Sequence, residues 1–157
     1  MDTIGTDTSL TLERFLPYRL SVLSNTISRA IAEAYAERYD LSINEWRVMA
    51  IVGRYPGSSA ADVAERAAMD KVAVSRAVAR LLEAARLRRR VANDDRRRSV
   101  LALSAVGRRI YERITPVLLD YEKTLLESLS ERDRRQLDRI LSRLTEQASS
   151  LGPPSLA

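Results

Sequence analysis

Apolar residues recur along this chain at steps of three and four almost from end to end, and only between Leu87 and Leu103 does the step change. That spacing stacks side chains on one face of a helix, so the chain is predicted to be mainly α with a single short β-hairpin. From Pro17, suited to a first helical turn, Leu20, Leu23, Ile27, Ala30, Ile31 and Ala34 predict one long amphipathic helix to about Arg38. Ser42-Ile43-Asn44-Glu45 reads as a capping box, in which Ser and Glu satisfy each other's orphan N–H groups. It opens a second helix carrying Trp46, Met49 and Val52, which ends at Tyr55-Pro56-Gly57. Ser59-Ala60-Ala61-Asp62 opens a short third helix, and Asp70 is placed to cap a fourth. Three short helices in close succession suggest a helix-turn-helix core.

In the fourth helix Val74, Val78, Leu81 and Leu82 form one stripe, while Lys71, Ser75, Arg76, Ala79 and Arg80 fall on another face, which is cationic and free of bulky groups. Leu87 to Val91 and Ser99 to Leu103 then read as two strands flanking a charged tip, NDDRRRS. Ser104 caps the next helix, whose stripe of Ile110, Ile114, Val117, Leu118, Tyr121 and Leu125 continues past a kink expected at Pro116. Ser130-Glu131-Arg132-Asp133 starts a last helix with Leu137, Ile140, Leu141 and Leu144. Residues 1–10 and 149–157 read as a flexible N-terminus and tail, the latter broken by Gly152, Pro153 and Pro154.

Charge narrows the function. Residues 71–98 hold ten basic groups against three acidic ones, whereas the rest of the chain holds 16 against 18. One face is therefore strongly positive on an otherwise near-neutral molecule, the footprint of a polyanion binder. A helix presenting Lys71, Ser75, Arg76 and Arg80, followed at once by a hairpin tipped with Arg96, Arg97 and Arg98, offers two probes to a DNA duplex. The major groove admits the helix, and the minor groove suits an arginine. Asp94 and Asp95 either hold a tip arginine in one direction or merely offset local repulsion; spacing does not separate the two.

The chain has no cysteine and no histidine. That removes disulfides, thiol nucleophiles, the usual zinc ligand sets and histidine acid/base chemistry, and no Gly-rich phosphate loop stands among five glycines. No catalytic site, metal or cofactor is expected. No apolar run approaches the roughly 18 residues of a membrane span, and MDTIGTDTSL lacks the order of a signal peptide, so a cytoplasmic location is expected.

The stretch DKVAVSRAVARLLE, the tip DDRRRSVLALSAVG and the bracketing helices together resemble the MarR family of winged helix-turn-helix regulators, over roughly residues 11–148. That family's wing runs Asp-Pro-x-Asp-Arg-Arg, then an apolar strand, then Leu-Thr-x-x-Gly. Ala92-Asn93-Asp94-Asp95-Arg96-Arg97 and Leu103-Ser104-Ala105-Val106-Gly107 stand in those places, without the Asp-Pro. The resemblance implies that Asp95 and Arg97 are the wing-tip pair, with Arg97 in the minor groove. It also implies a homodimer on an inverted-repeat operator and a small-molecule pocket between the dimer region and the DNA-binding lobe. The expected organisation is a dimerisation helix (11–40), the winged lobe (41–104) and dimerisation helices (105–148).

LPYRLSVLSNTISRAIAEAY with LSINEWRVMAIV looks like the branch of that family that senses aromatic carboxylic acids. Tyr18, Ser21, Asn25 and Ser28 make a polar stripe opposite Leu20, Leu23 and Ile27. On this reading Arg19 is the counter-ion of a benzoate- or hydroxycinnamate-like effector, Tyr18, Ser28 and Trp46 shape its pocket, and Arg47 or Arg29 are the next candidates. Trp46 as plain core and the stripe as plain surface fit the pattern equally well. The function expected is a repressor released by its effector. Two other readings are an architectural DNA-binding dimer without ligand, and a helical adaptor whose basic strip meets an acidic partner.

Overall fold

The computed structural model describes residues 10–91 and 99–155. A 3-10 turn, Leu12–Arg14, leads into α1 (Leu16–Glu33), then α2 (Ala36–Tyr39), α3 (Ile43–Arg54), α4 (Ala60–Ala67) and α5 (Lys71–Glu83). The hairpin β1 (Leu87–Val91) and β2 (Ser99–Leu103) follows, then α6 (Ala105–Leu126) and α7 (Glu131–Ser150). Two compact units divide the chain, residues 1–117 and 118–157, with α6 crossing the boundary.

Within the first unit the core lies under α3, α4, α5 and the hairpin. Val48, Met49 and Val52 from α3, Val63 and Ala64 from α4, and Val74, Ala77, Val78 and Leu81 from α5 are all buried, with Leu87, Leu101 and Leu103 from the strands. The caps form as their chemistry dictates. The Ser42 hydroxyl accepts the Glu45 N–H at 3.2 Å while the Glu45 carboxylate accepts the Ser42 N–H at 2.7 Å. Ser59 and Asp62 repeat the exchange at the head of α4. Asp70 accepts from Val72 and Ala73 at the head of α5.

One element departs from the sequence reading. The first helix does not continue to Arg38: it stops at Glu33, and Tyr35 sits at φ −133° before the single turn of α2. The break lets the Tyr35 ring turn inward against Trp46, centroids 5.5 Å apart, where it is 1% exposed. Burial of one aromatic ring outweighs a turn of helix continuity here. The hairpin falls where the change of period placed it, antiparallel with Leu87 opposite Leu103 and Val91 opposite Ser99. Beyond its own ladder it is tied to the loop after α3, since Gly57 N–H donates to Leu101 O at 3.1 Å and Leu101 N–H to Ser58 O at 2.8 Å. Gly57 holds φ +91°, open to glycine without strain.

Ser104 fastens the hairpin to α6. Its hydroxyl donates to Ala85 O at 2.6 Å and accepts the Gly107 N–H at 2.9 Å. A Cβ on Gly107 would stand 2.0 Å from Arg86 O, so the turn before β1 packs directly on this helix start. α6 then runs through Pro116. In the second unit, Ser130 caps α7 by accepting the Asp133 N–H at 3.2 Å. No helix among the described residues is long and apolar enough to cross a membrane.

Candidate nucleic-acid interface

The buried face of α5 fixes what its other face shows. With Val74, Ala77, Val78 and Leu81 held in the core, Lys71, Ser75, Arg76, Ala79 and Arg80 are left exposed, as 3.6-residue geometry requires. Lys71 and Arg76 have no ion-pair partner among the described residues. Arg80 does: its Nε lies 3.1 Å from Glu45 Oε1, although most of its side chain remains in solvent. On β1, Arg88, Arg89 and Arg90 are exposed, and Arg89 reaches Ser99 Oγ at 3.5 Å. Successive strand residues point to opposite faces, so Arg88 and Arg90 stand on one face of the hairpin and Arg89 on the other. The tip residues Asp95, Arg96, Arg97 and Arg98 lie outside the described residues. Arg86, counted by charge with the same basic segment, faces elsewhere: its guanidinium donates to Asp40 O at 2.9 Å and to Tyr39 O.

A cleft of about 630 Å³ lies between α1 and the start of α3. Val22, Asn25, Ser28 and Arg29 line it from α1, and Ser42, Ile43, Asn44 and Arg47 from the other side. Arg47 donates to Ser28 Oγ at 3.0 Å across it. Of the residues expected in an effector pocket, Ser28 lines this cleft, and so do both reserve cations, Arg29 and Arg47. Tyr18 and Arg19 stand exposed on the first turn of α1 and are not among the lining residues. Trp46 is core: it packs between Tyr35 and Tyr111, the latter ring 5.9 Å away and nearly parallel. The helical wheel had no way to tell these placements apart, because Trp46 and Arg47 are neighbours in sequence and a rotation of one residue decides which enters the cleft.

Burial pushes the Tyr35 phenol up to about 12, with the nearby Arg47 cation working the other way. Tyr35 is therefore a neutral, buried ring at any ordinary pH. Among the described residues no group of three or more carboxylates is placed to hold a metal ion.

A model of the MarR family matches residues 39–98, the stretch from the end of α2 through the hairpin. The HTH-type transcriptional regulator BilQ of Clostridium symbiosum is 28% identical over 93 residues, which is 59% of this chain and 65% of that one. The chain thus spans just under two thirds of the length of this curated relative. Two crystal structures share the fold. A MarR/EmrR family transcriptional regulator from Acinetobacter sp. ADP1 superposes with a TM-score of 0.82 at 24% identity, over 90% of this chain and 100% of that one. MepR of S. aureus, in a DNA complex, gives 0.76 at 20% identity, over 87% and 98%. The family match falls on the residues that build the α5 face and the hairpin, and the helices around them follow the same fold as the two crystal structures.

Proposed function

We propose that this chain is a sequence-specific DNA-binding transcription regulator of the cytoplasm, a homodimeric repressor released from an inverted-repeat operator by a small aromatic carboxylate. The observation that carries the DNA-binding part is the pairing of an exposed, unobstructed strip on α5, Lys71, Ser75 and Arg76, with a hairpin strand bearing Arg88, Arg89 and Arg90 outward. The helix fits a major groove about 12 Å wide, and the arginine strand follows the phosphates beside it. That the similarly folded MepR was crystallised on DNA supports the same use of the fold.

The effector part rests on the cleft. Arg47 and Arg29 offer a carboxylate two-pronged cationic partners, while Val22 and Ile43 offer apolar surface to a ring. Arg47 therefore takes the counter-ion role in this proposal, in place of Arg19.

The test is selection of duplexes from a random pool by the full chain at fixed salt. The expected product is an inverted repeat with half-sites about ten base pairs apart, centre to centre. On it Arg76→Ala should cost about 1 to 3 kcal/mol and relax discrimination at particular base pairs, while Arg97→Ala should weaken binding most where the flanks are A·T-rich. Equal binding of all sequences would sink the regulator reading. A panel of benzoates and cinnamates should contain one that weakens binding at least threefold, an effect abolished in Arg47→Ala. If none acts at millimolar concentration, the effector is not an aromatic acid.

A further inference from the structure

Arg80, near the far end of α5, and Arg86, in the turn beyond it, both reach the same short segment. Arg80 Nε lies 3.1 Å from Glu45 Oε1, and the other oxygen of that carboxylate accepts the Ser42 N–H at 2.7 Å. Just past the C-terminal end of α5, Arg86 donates one arm to Asp40 O at 2.9 Å and the other to Tyr39 O. The end of a helix leaves such carbonyls without intrahelical partners. Residues 39–45, from the end of α2 into the first turn of α3, are thus gripped by a charge pair from α5 and by a two-armed hydrogen bond from the turn that follows it.

We propose that Arg80 and Arg86 are positioning residues and not DNA contacts: they clamp the C-terminal half of α5 to residues 39–45, and so set the angle at which Lys71, Ser75 and Arg76 meet a groove. The inference rests on the DNA-binding reading above. Its physical ground is the burial of Glu45, whose side chain is only 5% exposed. If Arg80 left for a phosphate, that largely buried carboxylate would lose its charge partner and keep only the Ser42 backbone N–H within the protein. An arginine whose charge already balances a buried carboxylate adds little to the attraction of DNA. Arg86 keeps its charge, but both arms of its fork are turned to the carbonyls of Tyr39 and Asp40. A lysine there could not span both with the same planar geometry. The clamp grips the end of the recognition helix opposite to Lys71, where a small change of tilt displaces the probing side chains most.

Removing the acid gives opposite signs under the two readings. In the full chain, on the duplex the wild type selects, Glu45→Gln raises the net positive charge by one and releases Arg80. If Arg80 serves phosphate, binding tightens or holds. If it serves the clamp, binding weakens at least threefold, and the preference over a scrambled duplex falls with it. The salt dependence separates them again: loss of a phosphate contact lowers the slope of log K against log salt by about 0.9 per lobe, whereas loss of alignment leaves it unchanged. Arg80→Gln and Arg86→Lys should therefore both weaken selective binding with the wild-type slope. Both residues are exposed enough to keep the test alive should Glu45→Gln fail to fold. A slope reduced by about 0.9 in Arg80→Gln, or Arg86→Lys binding as the wild type does, overturns the inference while leaving the regulator reading intact. A wild-type chain that selects no sequence removes both.

Discussion

Tyr35 shows how one side chain can decide an element's end and a pH limit together. Its ring is buried between the end of α1 and Trp46, and its phenol is pushed from 10.0 to about 12, chiefly by that burial. The folded chain therefore keeps a proton that the unfolded chain releases above pH 10. Stability from this group is whole below pH 10 and drains as pH climbs towards 12, by on the order of 2 to 3 kcal/mol in all. In urea unfolding at pH 8 and pH 11, Tyr35→Phe should lose less stability between the two than the wild type does; an equal loss in both would show that the phenol is not desolvated. The sequence offered no sign of this role, because nothing in IAEAYAERY interrupts a helix. The same limit applies to Trp46 and Arg86. Which way a side chain turns from a helix or a turn depends on residues distant in sequence: Tyr111 for Trp46, and the Tyr39 and Asp40 carbonyls for Arg86.

At the scale of elements, helix starts were legible because cap chemistry is local. Ser42, Ser59, Asp70, Ser104 and Ser130 each bond the N–H groups that the sequence assigned to them or stand at the predicted start. The hairpin was legible too, from the change of period, and with it the cationic strip of α5. Helix ends were less so. α4 stops at Ala68, which adopts the left-handed conformation at φ 48° where glycine is usual. The Ala68 N–H still reaches Ala64 O and the Met69 N–H reaches it as well, so the bonds of the stop are made without the residue that favours it. A left-handed alanine costs roughly 1 to 2 kcal/mol, and glycine's extra freedom in the unfolded chain returns roughly 0.5 to 1. Since Ala68 is exposed and packs nothing away, Ala68→Gly should stabilise the protein by about 0.5 to 1 kcal/mol in denaturant unfolding. A loss instead would mean that this turn relaxes out of the left-handed region in solution. Gly107 is the opposite case. Its missing Cβ makes room for Arg86 O, and Gly107→Ala should destabilise by about 2 kcal/mol or more, read in the same experiment.

At the scale of the whole molecule, the apolar stripes that the sequence shows along the bracketing helices find no cover within either unit. α1 has 18 residues and not one is buried; Leu20 and Leu23 are 41% and 54% exposed. On α7, Leu137, Ile140, Leu141 and Leu144 stand on one face and are likewise exposed. A 20-residue helix gains most of its stability from packing its apolar face rather than from its own hydrogen bonds, so a face left open in one copy calls for another surface. In the proposed homodimer that surface is the second copy, and the charge-free stripe of α7 is where the two chains grip. Each leucine of this face, half covered on association, contributes about 1 kcal/mol, and a twofold interface counts every substitution twice. Leu141→Glu with Leu144→Glu thus removes on the order of 4 kcal/mol and weakens association about a thousandfold. Sedimentation at micromolar concentration should show a dimer for the wild type and a monomer for the double variant. Both should keep the same near-ultraviolet signal from Trp46, because its ring packs against Tyr35 and Tyr111 of the first unit. Operator binding should fall with the dimer, since a single lobe engages one half-site alone and forgoes the effective concentration its partner supplies. A double variant that sediments as a dimer would move the interface off this face of α7, and a wild type that sediments as a folded monomer would end the dimer reading altogether.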